Sequence, residues 1–131
     1  MYGCKFSLRM VARRRPFFTF MKFSESLKKN WKFREIYQHG KSYANKFLVM
    51  YITENNSEIN YLGITVSKKV GNSVVRHRIT RLIRESYRLH EMMFNSGLNI
   101  VVVARVSASG ASYQDINKAV LHLAKLHKIL M

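Results

Sequence analysis

The sequence predicts an α+β fold, a small α/β sandwich with elements in the order α-β-β-α-β-α. Three observations predict it. Ile100-Val101-Val102-Val103-Ala104 is a near-continuous apolar, largely β-branched run, which suits a central strand covered on both faces. Residues 46–53 and 60–67 each split into two faces at the period of two that strands require. Residues 73–94 repeat apolar side chains at helical spacing. Helices laid against such a sheet enclose one core between two layers.

Taken in order, Asn30 is placed to cap a short helix over 31–38, and Gly40 is placed to end it as the C′ glycine. Phe33 and Tyr37 share a face of that helix. The strand over 46–53 points Leu48, Met50 and Ile52 one way and Phe47, Val49 and Tyr51 the other. The polar turn Glu54-Asn55-Asn56-Ser57-Glu58 then predicts a hairpin with the strand over 60–67. That strand has an apolar side of Leu62, Ile64 and Val66 and a small, polar side of Tyr61, Gly63, Thr65 and Ser67.

Gly71 breaks the chain, and Asn72 can accept an orphan backbone N–H as the N-cap of a long helix from Ser73 to about Phe94. Val75, Ile79, Leu82, Ser86 and Met93 fall on one side of it, with Ile83 and Leu89 at the edges. Asn95-Ser96-Gly97 stops it. After the strand over 99–105, Ser112 and Asp115 resemble a capping box that opens a last helix running to about Ile129. Its stripe is Ile116, Val120, Leu123, His127 and Leu130.

Composition sets the outer bounds. The chain has 131 residues, enough for one core but not two, and 47% of them are hydrophobic. Its 23 basic and 7 acidic residues give a formal net charge of +16, which favours a polyanionic partner and says nothing of fold. Apolar runs fall short of the ~20 residues that span a bilayer. Cys4 is the one cysteine, so no internal disulfide or Cys-based zinc site is available, and a reducing cytoplasmic setting fits.

Residues 1–22 hold six basic residues and no acid. They read as a basic extension, disordered or produced by an over-long start, with an RNA-binding arm or a targeting segment as alternatives. Residues 23–131 read as a single domain.

The basic residues are not spread evenly. From Lys68 to Arg88 there are seven Lys or Arg and one acid, Glu85. On the long helix His77, Arg81, Arg84 and Arg88 cluster opposite the apolar side, with Arg76 and Arg78 flanking. A solvated helix surface is the ordinary explanation of such a face, but that kind of surface mixes signs and gains from i,i+4 pairs. A face of almost one sign repels itself until an anion arrives, and a phosphate backbone releases counterions when it docks there.

A second surface combines Phe33, Tyr37, Tyr51 and Thr65. The plain alternative is that the aromatics are core. Against it, Tyr51 and Thr65 lie on the strand faces opposite the Leu/Met/Ile side, with Lys69 nearby in sequence. Aromatics beside a cationic groove let bases stack while phosphates pair, the pattern of single-stranded RNA binders. Lys28, Lys29 and Lys32 either extend this positive surface or only solubilise the domain.

Val66-Ser67-Lys68-Lys69-Val70-Gly71-Asn72 followed by Arg76-His77-Arg78-Ile79-Thr80-Arg81-Leu82-Ile83-Arg84-Glu85 resembles the signature of the bacterial ribonuclease P protein subunit. The family pattern is Arg-Asn-Arg, then usually Lys-Arg two residues on. This sequence departs from it at His77 and Thr80 but keeps the arginine spacing, and the resemblance runs from about Phe23 to His127.

It implies a fold like ribosomal protein S5 domain 2, with an unusual left-handed β-α-β crossover around the long helix. It implies that Lys68, Lys69, Arg76, His77, Arg78, Arg81, Arg84 and Arg88 dock the catalytic RNA. Phe33, Tyr37, Tyr51 and Thr65 would form the cleft for the 5′ leader of precursor tRNA. The resemblance further implies a ribonucleoprotein endonuclease that hydrolytically removes the leader. RNA would carry the Mg²⁺-dependent step, so that Mg²⁺ is bound by RNA and substrate and no protein side chain is catalytic. Histidine in place of the family Asn at position 77 adds an expectation of mildly pH-dependent docking.

The residues themselves agree with a non-catalytic protein. A protein nuclease needs clustered carboxylates to hold Mg²⁺. The seven acids are scattered, and His39, His77, His90, His122 and His127 lack metal-ligand spacing. Cys4 has no evident base. Two other classes remain open: a ribosomal or structural RNA-binding protein without a role in turnover, and a DNA-binding regulator with the basic helix in the major groove. A membrane or small-molecule partner is not expected.

Overall fold

A computed structural model describes residues 24–130, and the expectations for residues 1–22 lie outside these. Five strands, β1 (Ser24–Ser26), β2 (Lys41–Ala44), β3 (Leu48–Glu54), β4 (Asn60–Val66) and β5 (Leu98–Ala104), form one mixed sheet in the order β1-β4-β5-β3-β2. Three helices, α1 (Asn30–His39), α2 (Ser73–His90) and α3 (Tyr113–His127), flank it. The α+β class and the predicted α-β-β-α-β-α succession are present. Two short edge strands, β1 and β2, are added. Neither advertises itself: Ser-Glu-Ser has no apolar face, and all four residues of β2 are exposed.

The predicted hairpin is not formed. β3 pairs antiparallel with β5, and β4 pairs parallel with β5, so β5 lies between the two strands that the 54–58 turn joins. The reason is burial. β5 is apolar on both faces and six of its seven residues are buried, so it takes the central place and displaces the pairing of sequence neighbours.

Alternation then divides the sheet into two faces. Leu48, Met50, Ile52, Leu62, Ile100 and Val102 pack into the main core with Ile79 and Ile83 of α2 and Ile116, Val120 and Leu123 of α3. Phe47, which precedes β3, also packs against this core, contrary to its expected place beside Tyr51. On the opposite face lie two cross-sheet rows, Tyr51–Val101–Gly63 and Thr53–Asn99–Tyr61, with Glu25 of β1 paired beyond Tyr61. α1 covers this second face through its buried Ile36 and the Phe33 ring.

Helix ends show which local signals held. Asn72 Oδ1 accepts from the Val75 N–H at 3.0 Å and starts α2 as expected. Ser112 and Asp115 form a reciprocal capping box on α3. Asn30, however, is the first residue of α1 and not its cap; Lys29 holds that position with no side-chain bond.

Gly40 ends α1, but with φ −78° and ψ 151°, so a left-handed turn is not what it supplies. A Cβ there would stand 2.6 Å from the Ile36 carbonyl oxygen, and glycine is needed for that close approach.

α2 stops at His90, short of the expected Phe94. A 3₁₀ turn, Glu91–Met93, follows and lets Phe94 swing into the core at 2% exposure. Leu89 and Met93, expected on or beside the apolar side, are exposed, and Tyr87 is buried in their stead. The Tyr87 ring lies 4.9 Å from that of Phe94, its hydroxyl shares a 2.7 Å hydrogen bond with Ser24 Oγ, and it accepts from Asn60 Nδ2 at 3.2 Å. This buried network ties the β1 edge to the long helix, with its polar atoms paired as burial requires.

Candidate nucleic-acid interface

The first candidate surface is built where β4 runs out. Ser67 to Val70 is a tight turn closed by Val70 N–H donating to the Ser67 carbonyl at 3.1 Å. Val70 is buried and anchors the turn, which leaves Lys68 and Lys69 exposed. Asn72 then starts α2, whose apolar side is fixed against the sheet by Ile79, Ile83, Ser86 and Tyr87. That placement turns the arginine side outward.

The basic residues on it fall into two groups. Arg76 Nε donates to the Gly71 carbonyl at 3.2 Å, Arg78 donates to the Ala111 carbonyl at 2.9 Å, and Arg88 pairs with Glu85. Arg78 thereby ties α2 to the loop before α3. Lys68, Lys69, His77, Arg81 and Arg84 make no side-chain hydrogen bond or ion pair among the described residues. His77, Arg78 and Arg81 surround a shallow hollow with Ser73 and Val74, the last 75% exposed. Thr80, where the resemblance leads one to expect Lys, turns its hydroxyl back to the Arg76 carbonyl at 3.0 Å and adds no charge.

Glu85 is the one acid within this face. The hydrogen bond from Arg88 holds its carboxyl below the ordinary range, burial opposes this, and attraction to Arg88 and Arg81 adds to it. The same bond raises Arg88. Glu85 is ionised at neutral pH and spends its charge chiefly on Arg88, with a weaker attraction to Arg81, so Lys68, Lys69 and Arg84 are left without an ion pair among the described residues.

The second surface lies between α1 and the sheet. Phe33 and Tyr37, one helical turn apart, have ring centroids 6.4 Å apart, and Tyr37 meets Tyr51 edge-on at 5.0 Å. The Tyr37 hydroxyl shares a 3.1 Å hydrogen bond with Thr65 Oγ1. All four residues singled out in the sequence thus come together. Three elements bring them there: α1, β3 and β4. Phe33, Tyr51 and Thr65 are half-buried and Tyr37 is exposed, whereas Ile36, on the inner side of α1, is fully buried.

Sequence reasoning missed Gly63, which makes room for the Phe33 ring. An isolated glycine inside a strand pattern is the signal that could have found it. Thr65 is three residues before Lys68, so β4 leads from the aromatic cleft directly into the basic turn.

Other chemistry has less to build on. Among the described residues no three His, Cys, Asp or Glu side chains gather as a metal site, and no helix is long and apolar enough to cross a membrane. Cys4 lies outside the described residues.

Comparison with known proteins joins these surfaces to a family. The family model for Ribonuclease P matches residues 21–128. The ribonuclease P protein component of Lachnoclostridium phytofermentans is 63% identical over 107 residues, covering 82% of this chain and 92% of that protein. That of Alkaliphilus metalliredigens is 49% identical over 110 residues, covering 84% and 99%. Among solved structures, the RNase P protein of Staphylococcus aureus superposes with a TM-score of 0.76 at 36% identity, covering 81% of this chain and 97% of that one. The RNase P protein of Thermotoga maritima gives 0.72 at 28%, covering 77% and 96%.

Proposed function

The chain belongs to the Ribonuclease P protein family, and from that premise we propose that it holds two RNAs at once in the removal of the 5′ leader from precursor tRNA. The turn at Lys68–Lys69 and the outer side of α2 dock the catalytic RNA through its phosphates. The cleft of Phe33, Tyr37, Tyr51 and Thr65 grips the single-stranded leader. The observation that carries this reading is the junction of the two surfaces through β4: an aromatic cleft that ends in a turn of two exposed lysines.

The physical division of labour follows. Unpaired cations on α2 displace counterions from a folded RNA, a term that depends on salt and hardly on sequence. The aromatic cleft stacks bases and tolerates many sequences. Together they screen repulsion between the two RNAs and position the substrate near the reacting bond.

Hydrolysis belongs to the RNA in this proposal. On this reading the Mg²⁺ ion is held by RNA and substrate, not by protein ligands. A product without a leader loses the cleft contacts and leaves more readily. The reaction would take place in the cytoplasm, where bacterial tRNA precursors are made.

The test is to reconstitute the chain with a bacterial RNase P RNA and measure affinity for precursor and mature tRNA at fixed salt. Precursor should bind more tightly, and the margin should shrink in Phe33→Ala and Tyr51→Ala. Equal affinity for the two tRNAs would instead favour a structural RNA-binding role.

A further inference from the structure

The α1-covered face of the sheet does not end at the cleft. One row further along, Thr53, Asn99 and Tyr61 stand side by side across β3, β5 and β4, with Glu25 of β1 next to Tyr61. Successive rows on one face are two residues apart, roughly 6–7 Å. Above this row, where α1 begins, is a cavity of about 490 Å³. Trp31, Tyr61, Asn99, Lys28, Lys29 and Glu25 are among its walls.

Three features of this cavity bear on what it could hold. Trp31 is 57% exposed, a large aromatic surface left in water when a polar residue would serve the first turn of α1 as well. The Lys32 ammonium, which also pairs with Glu35 at 3.3 Å, lies 5.3 Å from the Trp31 ring centroid, and Lys28 and Lys29 are exposed beside it. Asn99 is only 1% exposed yet lies at the wall. Its amide donates to Thr53 Oγ1 at 3.1 Å and accepts from Asn55 Nδ2 at 3.2 Å, which leaves one N–H and one lone pair to spare. A planar ring platform, flanking cations and a floor of amide groups suit one ligand class, a nucleobase on a phosphate chain. Apolar peptides would strand the amide and the lysines.

We propose that this cavity is a base-binding site for single-stranded RNA, distinct from the four-residue cleft and next in line to it, with Trp31 as its stacking platform. It rests on the reading of the cleft given above and lengthens the strand that the protein can hold. Glu25, the one acid at the wall, faces the base position from the β1 edge, where it can accept from a base amino group, while the phosphates run past the lysines.

Trp31 is the only tryptophan of the chain, so its emission reports on this cavity alone. The experiment titrates the full chain with single-stranded oligo(A), oligo(C) and oligo(U). It follows Trp31 emission and, in parallel, the anisotropy of labelled strands. Expected are saturable quenching of Trp31, about tenfold weaker binding by Trp31→Ala, a smaller loss for Tyr61→Ala, and near-normal binding by Trp31→Phe.

If strands bind and Phe33→Ala weakens them, while Trp31 emission and the affinity of Trp31→Ala stay unchanged, the cavity proposal is overturned and the cleft stands. If Trp31→Ala weakens binding and Phe33→Ala does not, the cleft reading fails and the cavity stands as a site. Absence of any strand binding overturns both.

Discussion

The Phe33 ring occupies the space that a side chain on Gly63 would need: a Cβ built there stands 2.6 Å from both Cε1 and Cζ of Phe33. The helix and the strand are matched at this point, and the match sets how deep the ring sits in the cleft. Gly63→Ala has two opposing effects. Alanine in a strand regains roughly 0.5–1 kcal/mol of backbone entropy, but forcing a carbon into a filled space costs about 1–3 kcal/mol. The ring is half-buried and can move outward, so the net loss should be about 1 kcal/mol by denaturant unfolding. The larger effect should be on the ratio of precursor to mature tRNA affinity, which falls as Phe33 is pushed from its seat.

On the basic face the structure ranks arginines that look alike in sequence. Arg81 and Arg84 make no side-chain hydrogen bond or ion pair among the described residues, and Arg81 feels Glu85 only at a distance, whereas Arg88 is held by Glu85 and Arg78 by the Ala111 carbonyl. Replacing Arg81 and Arg84 together by Ala should lower the slope of log affinity against log salt by about two, with little change in stability. Arg88→Ala should lower it less. Arg78→Ala should also destabilise, by about 1 kcal/mol, because it unties α2 from the loop before α3. A salt slope equal to that of the unmodified protein in the double variant would take the helix out of the RNA interface.

Glu85→Gln tests the same face from the other side. Its carboxylate is ionised at neutral pH, and the bond from Arg88 lowers its pKa further. Removing that charge frees Arg88 and leaves the face with one sign. RNA affinity should rise severalfold at low salt and converge with that of the unmodified protein at high salt. The pair is only half-buried and reaches solvent, so the stability lost at neutral pH should be about 1 kcal/mol or less.

How much of this was legible beforehand follows from which signals were local. Caps at Asn72 and Ser112 and the period of α2 and α3 depend on neighbours within four residues, and the sequence displays them. The cleft was legible for the same reason: i,i+4 spacing puts Phe33 beside Tyr37, and alternation puts Tyr51 and Thr65 on one face. The strand order was not. A polar turn after 53 argues for a hairpin, and only the competition for the centre of the sheet, won by β5, overrules it. β1 and β2 have no apolar alternation to read. Tyr87 reaches the core through Ser24 and Asn60, partners 63 and 27 residues away that no helical window contains.

A last prediction concerns His127 at the end of α3. Its Nε2 lies 2.9 Å from the Met50 carbonyl of β3, and Tyr43 of β2 meets its ring edge-on at 4.8 Å. The contact joins the last turn of the helix to two strands, and Nε2–H must be the donor because a carbonyl only accepts. Burial lowers the pKa of His127, the Met50 bond partly offsets this, and repulsion from Lys41 adds to the lowering. The folded value is thus below that of the unfolded chain, near 6.5. The sign follows from linkage: the unfolded chain binds the proton first, so stability is complete above about pH 6.5 and is lost as pH falls through the folded value. The denaturant midpoint should therefore drop between pH 7 and pH 5. His127→Gln keeps an N–H for Met50 but cannot titrate, and its midpoint should drop less over the same interval. Equal drops in the two proteins would show that the ring carries no proton-linked stability.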